Sequence, residues 1–175
     1  MDIALLVLRI VVGLTFVGHG AQKLFGAFGG DGLDGTAQMF DSIGLRPGWL
    51  HARAAGAAEF LGGAFLALGL LVPFAAAALI GVMTAAVVSV HLSNGFWATQ
   101  KGFEYNLVIA AVMFALAGIG AGTVSLDNAL NLDVAGTGWA LGALAAGLLG
   151  GASAVATGRI YPAPAGGRRT RATAA

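Results

Sequence analysis

The sequence predicts an all-α membrane protein with five spanning helices, and three observations lead there. Residues 1–24, 54–72, 74–92, 105–121 and 138–156 are long, nearly uncharged runs. Each approaches the ~20 apolar residues needed to cross a ~30 Å hydrocarbon core. The composition is 58% hydrophobic and only 10% charged, with a mean hydropathy of +0.85, far from that of a soluble domain. Glycine supplies 29 of the 175 residues. Small residues let helix backbones approach closely in lipid, where no hydrophobic drive brings helices together.

The first run is too long for a signal-peptide core, carries Arg9 at its middle and lacks a charged leader, so it reads as a retained helix. The connection 25–53 is long and opens with Gly26-Ala27-Phe28-Gly29-Gly30-Asp31-Gly32. Within it Thr36 is placed to cap a short interfacial helix over 37–43, with Met39, Phe40 and Ile43 on one side. An ordinary connecting loop is the alternative. The second and third runs meet at Leu71-Val72-Pro73-Phe74. Proline cannot continue a helix and pushes its predecessor toward an extended conformation, so this junction predicts a tight helical hairpin. The fourth run follows Glu104, and the fifth is Gly-rich and the weakest of the set. Residues 158–175 form a basic tail that reads as disordered and attracted to anionic lipid.

Charge sets the expected orientation. Lys23, Arg46, Arg53, Lys101, Arg159, Arg168, Arg169 and Arg171 all fall on one side of a five-helix arrangement. The other side holds only Asp2, Asp127, Asp133 and the uncharged turn at Pro73. By the positive-inside rule the N-terminus lies outside and the C-terminus inside. A four-helix alternative would leave 138–156 outside the bilayer or along its surface.

Charges at membrane depth cost roughly 2.5–3.5 kcal/mol even on the mildest scale, so Arg9, His19, Glu59 and His91 each suggest function. At ~100° per residue Arg9, Val12, Phe16, His19 and Lys23 share one stripe of the first helix. In the second helix Gly56 and Gly63 flank Glu59 at helical spacing, so a neighbour can approach and bury the acid. From the ~1.5 Å rise, Glu59 and His19 lie ~8–9 Å inside the cytoplasmic ends of their helices. His91 lies nearer that end, where Glu104, Tyr105 and Asn106 begin the fourth helix. Arg9 falls ~15 Å further out. It could reach Glu59, snorkel outward or donate to backbone carbonyls.

Several ordinary roles compete. Glu59 with Arg9 or His19 could be a register-fixing pair, and Lys23, Lys101 and Trp97 could be interfacial anchors. Two histidines on different helices could hold a haem, but only the residue type supports that. No metal or haem is predicted. The chain has no cysteine, which excludes disulfides, iron–sulfur clusters and thiol redox chemistry of its own. No nucleotide-binding or metal-spacing motif is present and no nucleic-acid partner is expected. The reading that needs fewest assumptions is a leaflet-boundary pocket walled by Phe16, Phe60, Phe96 and Trp97, suited to a lipid-soluble ring such as a quinone. Glu59 or His19 would exchange its protons.

The ordered elements Arg9…Gly13…Gly18-His19-Gly20-Ala21-Gln22-Lys23-Leu24, Gly29-Gly30, Gly44-Leu45-Arg46-Pro47, Glu59-Phe60-Leu61-Gly62-Gly63, His91…Asn94-Gly95-Phe96, Gly102-Phe103-Glu104 and Ser125-Leu126-Asp127 resemble the DoxX family of small bacterial integral membrane proteins. The resemblance covers about residues 5–128. It implies a four-helix transmembrane bundle of DoxX type over 1–128, with 129–157 an added helix and 158–175 a cytoplasmic tail. One departure is Gly120-Ala121-Gly122-Thr123, where family members often carry Gly-Pro-Gly with a basic residue.

Family members are implied to be subunits of thiosulfate:quinone oxidoreductase, factors in quinone or catechol resistance, or parts of a membrane complex with superoxide dismutase and a sulfurtransferase. Distant relatives act as cargo receptors or assembly factors. The expectation is therefore a quinone-interacting oxidoreductase subunit in the bacterial cytoplasmic membrane, with a soluble redox enzyme partner and scope for a homo-oligomer. The alternative is a non-catalytic scaffold. His19 and Glu59 are the expected catalytic residues, and Arg9, Lys23, His91, Trp97, Glu104 and Asn106 the expected substrate-binding ones.

Overall fold

All five expected helices are present in the computed structural model, which describes residues 2–161. They are α1 (Asp2–Phe25), α3 (Gly48–Leu68), α4 (Val72–Ala86), α5 (Glu104–Ile119) and α7 (Thr137–Ile160), with α2 (Gly32–Ser42) and α6 (Leu126–Ala129) in connections. The chain is an all-α membrane bundle. By length and composition α1, the α4 continuation Val72–Asn94 and α7 can each cross a bilayer. α5 is apolar but only 16 residues long. α3 has 21 residues and carries His51, Arg53 and Glu59. Met1 and most of the basic tail, 162–175, lie outside the described residues.

Glycine decides how the helices meet. α1 and α3 run antiparallel in very close contact. A Cβ on Gly13 would stand 2.6 Å from the Gly63 carbonyl, and one on Gly20 would strike the Phe60 backbone. The expected role of Gly63 is thereby met, with α1 as the partner. α7 runs parallel to α4, and Gly147 and Gly151 fit against Ile80 and Thr84. Leu66, Val72, Leu79, Ile80, Met113 and Leu116 fill the centre of the bundle.

The hairpin between α3 and α4 is as the sequence predicts, but it is held from outside. Leu71 takes a left-handed conformation (φ 48°) at the start of α4, and Asp127 accepts hydrogen bonds from the backbone N–H groups of Leu71 at 2.7 Å and Val72 at 3.3 Å. Those are the orphan donors of a helix N-terminus. Asp127, 4% exposed, is therefore a buried cap.

α2 is a true helix but longer than expected. It starts at Gly32 after Asp31, and Thr36 lies buried within it, where no capping role exists. Phe40 and Leu45 anchor this region on Ala52 of α3. Of the described basic residues all but Arg9 lie at the end of the bundle where α2 sits.

Candidate functional site

The end carrying α2 also collects the polar side chains. His19 and Lys23 are one turn apart on α1, a spacing that puts them on one face. Opposite them Glu59 is 4% exposed. Lys23 Nζ donates to Glu59 Oε2 at 2.6 Å, with the lysine side chain 22% exposed. Glu59 is thus buried against the first helix near His19, as expected, but its charge partner is Lys23 and not His19 or Arg9. Gly56, one turn before Glu59 on α3, lets Leu24 and the Lys23 stem pack close, a Cβ there lying 3.4 Å from the Lys23 Cβ, and this brings Lys23 to the acid.

A cavity of about 590 Å³ borders this pair and is lined by His19, Lys23, Glu59, His91 and Asn106 among others. Those are five of the eight expected site residues. Val11 from α1 and Tyr105 from α5, 59% and 69% exposed, stand at its rim. α4 ends in a π-helical turn, Val87–His91, a local widening of the helix that often marks functional sites. His91 Nδ1 donates to the Lys101 carbonyl at 2.7 Å. A carbonyl can only accept, so the proton sits on Nδ1, which leaves Nε2 of the neutral ring as an acceptor. Gln22 Oε1 lies 3.3 Å from His19 Nδ1. Among the aromatic walls expected from sequence only Phe16 lines the cavity.

The remaining three expected residues lie elsewhere. Glu104 accepts from the Ala98 backbone N–H at 2.9 Å and holds the 95–104 loop in shape. Trp97 is 61% exposed and makes an edge contact with Phe96 at 5.0 Å. Arg9 occupies the opposite end of the bundle, fully buried, and donates through Nη2 to the Val124 carbonyl at 2.6 Å. Of the three roles open to it, donation to backbone is the one realised. Its guanidinium lies where a Cβ on Gly69 would be, and Asp127 supplies the nearby negative charge.

His51 is a residue that sequence reasoning did not single out. It is 8% exposed, and its Nε2 lies 3.2 Å from the Arg46 carbonyl and 3.3 Å from Thr157 Oγ1. Thr157 itself donates to Ala154, so its oxygen accepts from His51. This joins the start of α3 to the end of α7. The available signal was spacing, since His51, Ala55 and Glu59 fall on successive turns of one helix.

The family model for DoxX matches residues 4–92, just over half of the chain, from the first turn of α1 to beyond the end of α4. The chain belongs to the DoxX family. It is 33% identical over 122 residues to a Bacillus subtilis (strain 168) protein named "Putative oxidoreductase CatD", covering 67% of this chain and 81% of that one. No solved structure matches the chain. The DoxX match takes in Arg9, His19, Lys23, Glu59 and His91. Trp97, Glu104 and Asn106 follow it.

Proposed function

We propose that this DoxX protein is a quinone-interacting subunit of membrane redox or detoxification chemistry. The observation that carries the reading is the cavity shared by His19, Lys23, Glu59, His91 and Asn106, with a rim between α1 and α5. Costly polar groups gathered at one depth call for a ligand or water to satisfy them. A quinone offers carbonyl oxygens to the Lys23 ammonium and the Asn106 amide. Its reduction consumes two electrons and two protons per ring. The electrons would come from a soluble redox enzyme docked at the basic end. The protons would pass through His19 and the Lys23–Glu59 pair, each group being restored from water. The relative's name, which includes oxidoreductase, supports this class of chemistry. In this reading the membrane is the bacterial cytoplasmic membrane, all five long helices span it, and the basic end with the tail faces inward.

A second reading, a non-catalytic scaffold, is favoured by one feature. Glu59 is already paired, and His91 and Glu104 both hold the 95–104 loop, as a purely structural bundle would arrange them. Equilibrium binding of a short-chain quinone to protein in nanodiscs separates the two. Losing one hydrogen bond costs about 1–3 kcal/mol, so His19→Ala with Glu59→Gln should weaken binding at least about tenfold. Mutating the exposed Trp97 should leave it unchanged. Equal binding by the parent and the double mutant would leave the scaffold in front.

A further inference from the structure

A second cavity, of about 440 Å³, lies on the far side of the Lys23–Glu59 pair. Both α3 and α7 pack on α4, and the space between them stays open because the wall side chains are small: Ala55 and Ala58 on α3, Ala78 and Gly81 on α4, Ala146 and Gly150 on α7. Phe40 and Ile43 close it on the α2 side. Its volume falls in the range of small-molecule sites. Its wall is mainly apolar, with His51 and Ser89 among the lining besides Lys23 and Glu59, so over most of its surface the space offers water few partners and favours hydrocarbon. Left empty, its lining forfeits dispersion contacts.

Lys23, Glu59 and Met83 border this chamber and the polar cavity alike. Met83 is the pliable part of the partition, an unbranched thioether that receives the Asn106 amide at 3.5 Å. The polar cavity therefore gathers most of the ionisable groups on one side of a narrow boundary, and a mainly apolar space, with His51 and Ser89 as its further polar lining, faces the other. We infer that the chamber holds the isoprenoid chain of a quinone whose ring sits in the polar cavity, so that the substrate is a chain-bearing membrane quinone and not a small soluble one. The inference rests on the quinone reading of the polar cavity and adds which quinone the site takes.

Filling the chamber tests it. A Cβ at Gly150 meets nothing within 4 Å, and Ala146 is also exposed on α7, so Gly150→Leu and Ala146→Leu can each be accommodated, with thermal melts to check folding. A benzoquinone without a side chain and the same ring bearing a geranyl chain are titrated into parent and variants in identical nanodiscs. Partition into lipid then cancels between proteins. The geranyl compound should lose about tenfold in affinity in both variants, while the chain-free ring binds as to the parent.

Unchanged geranyl affinity would overturn the chamber assignment and leave the polar cavity's reading intact. Equal losses for both compounds would also overturn it, because the chamber would then shape the ring site. Binding of neither compound to the parent would remove the quinone reading itself. Native mass spectrometry adds an arm: a phospholipid retained by the parent and lost from the variants, with geranyl affinity unmoved, would assign the chamber to bilayer lipid.

Discussion

Glu59 and Lys23 show what a single buried charge requires of its neighbours. At 4% exposure the carboxylate depends on the ammonium 2.6 Å away, and removing one partner of a buried pair strands the other. Glu59→Leu should therefore lower stability in detergent by about 3 kcal/mol. Glu59→Gln should cost less, because the amide still accepts from Lys23. The double change Lys23→Leu with Glu59→Leu should cost less than the two single changes added together. A thermal melt of Glu59→Leu matching the parent would show that the pair carries no stability. The need for a partner was legible in the sequence, since an acid between two helically spaced glycines has to be met by another helix. Which residue of α1 meets it was not. His19 and Lys23 share a stripe one turn apart, and the register of α1 along α3, set by glycine contacts such as Gly56 on Lys23 and Leu24, chooses between them. Asp127 was illegible for another reason: an acid in a short connection looks solvent-exposed until the distant backbone donors of Leu71 and Val72 are placed beside it.

At the scale of the element, close approach and its cause can be separated by substitution. Gly63 has no room for a side chain, since a Cβ there would lie 2.7 Å from the Val17 backbone nitrogen. Gly18 belongs to the same interface-forming helix, yet a Cβ there meets nothing within 4 Å. Gly63→Leu should therefore force α1 and α3 apart and cost about 3 kcal/mol, the upper end for overpacking, together with loss of the Lys23–Glu59 pair. Gly18→Ala should be neutral or stabilise by up to about 1 kcal/mol, the helix-propensity difference between the two residues. Parallel melts decide it, and equal effects at the two sites would show that glycine acts here through propensity alone. Helix positions were readable because apolar runs and Pro73 mark them locally. The closeness of α1 to α3 was readable only as a possibility, because 29 glycines spread along 175 residues do not say which glycines touch.

The whole molecule raises the question of how many times the chain crosses. α1, Val72–Asn94 and α7 have the length and apolarity to span, and α3 and α5 lie between them in the bundle. α7 runs parallel to α4, with Gly147 beside Ile80 and Gly151 beside Thr84, and antiparallel to α5, with Gly118 beside Ala140. A helix laid on the membrane surface would not align its full length with a spanning neighbour, so this register favours α7 as a fifth crossing. With five crossings every described basic residue except Arg9 falls at one end, in keeping with the positive-inside rule. Arg9 is no exception to the physics, because its charge is buried beside Asp127 and the Val124 carbonyl and does not meet the outer headgroups. Compartment reporters fused at Asn128 and after Arg171 should therefore report opposite sides of the membrane, with the C-terminal fusion inside. Reporters on the same side would place α7 along the surface and reduce the chain to four crossings. The apolar chamber between α3 and α7 would then open to the headgroup region, where no isoprenoid chain would enter it, so the topology result bears directly on the substrate as well as on the fold.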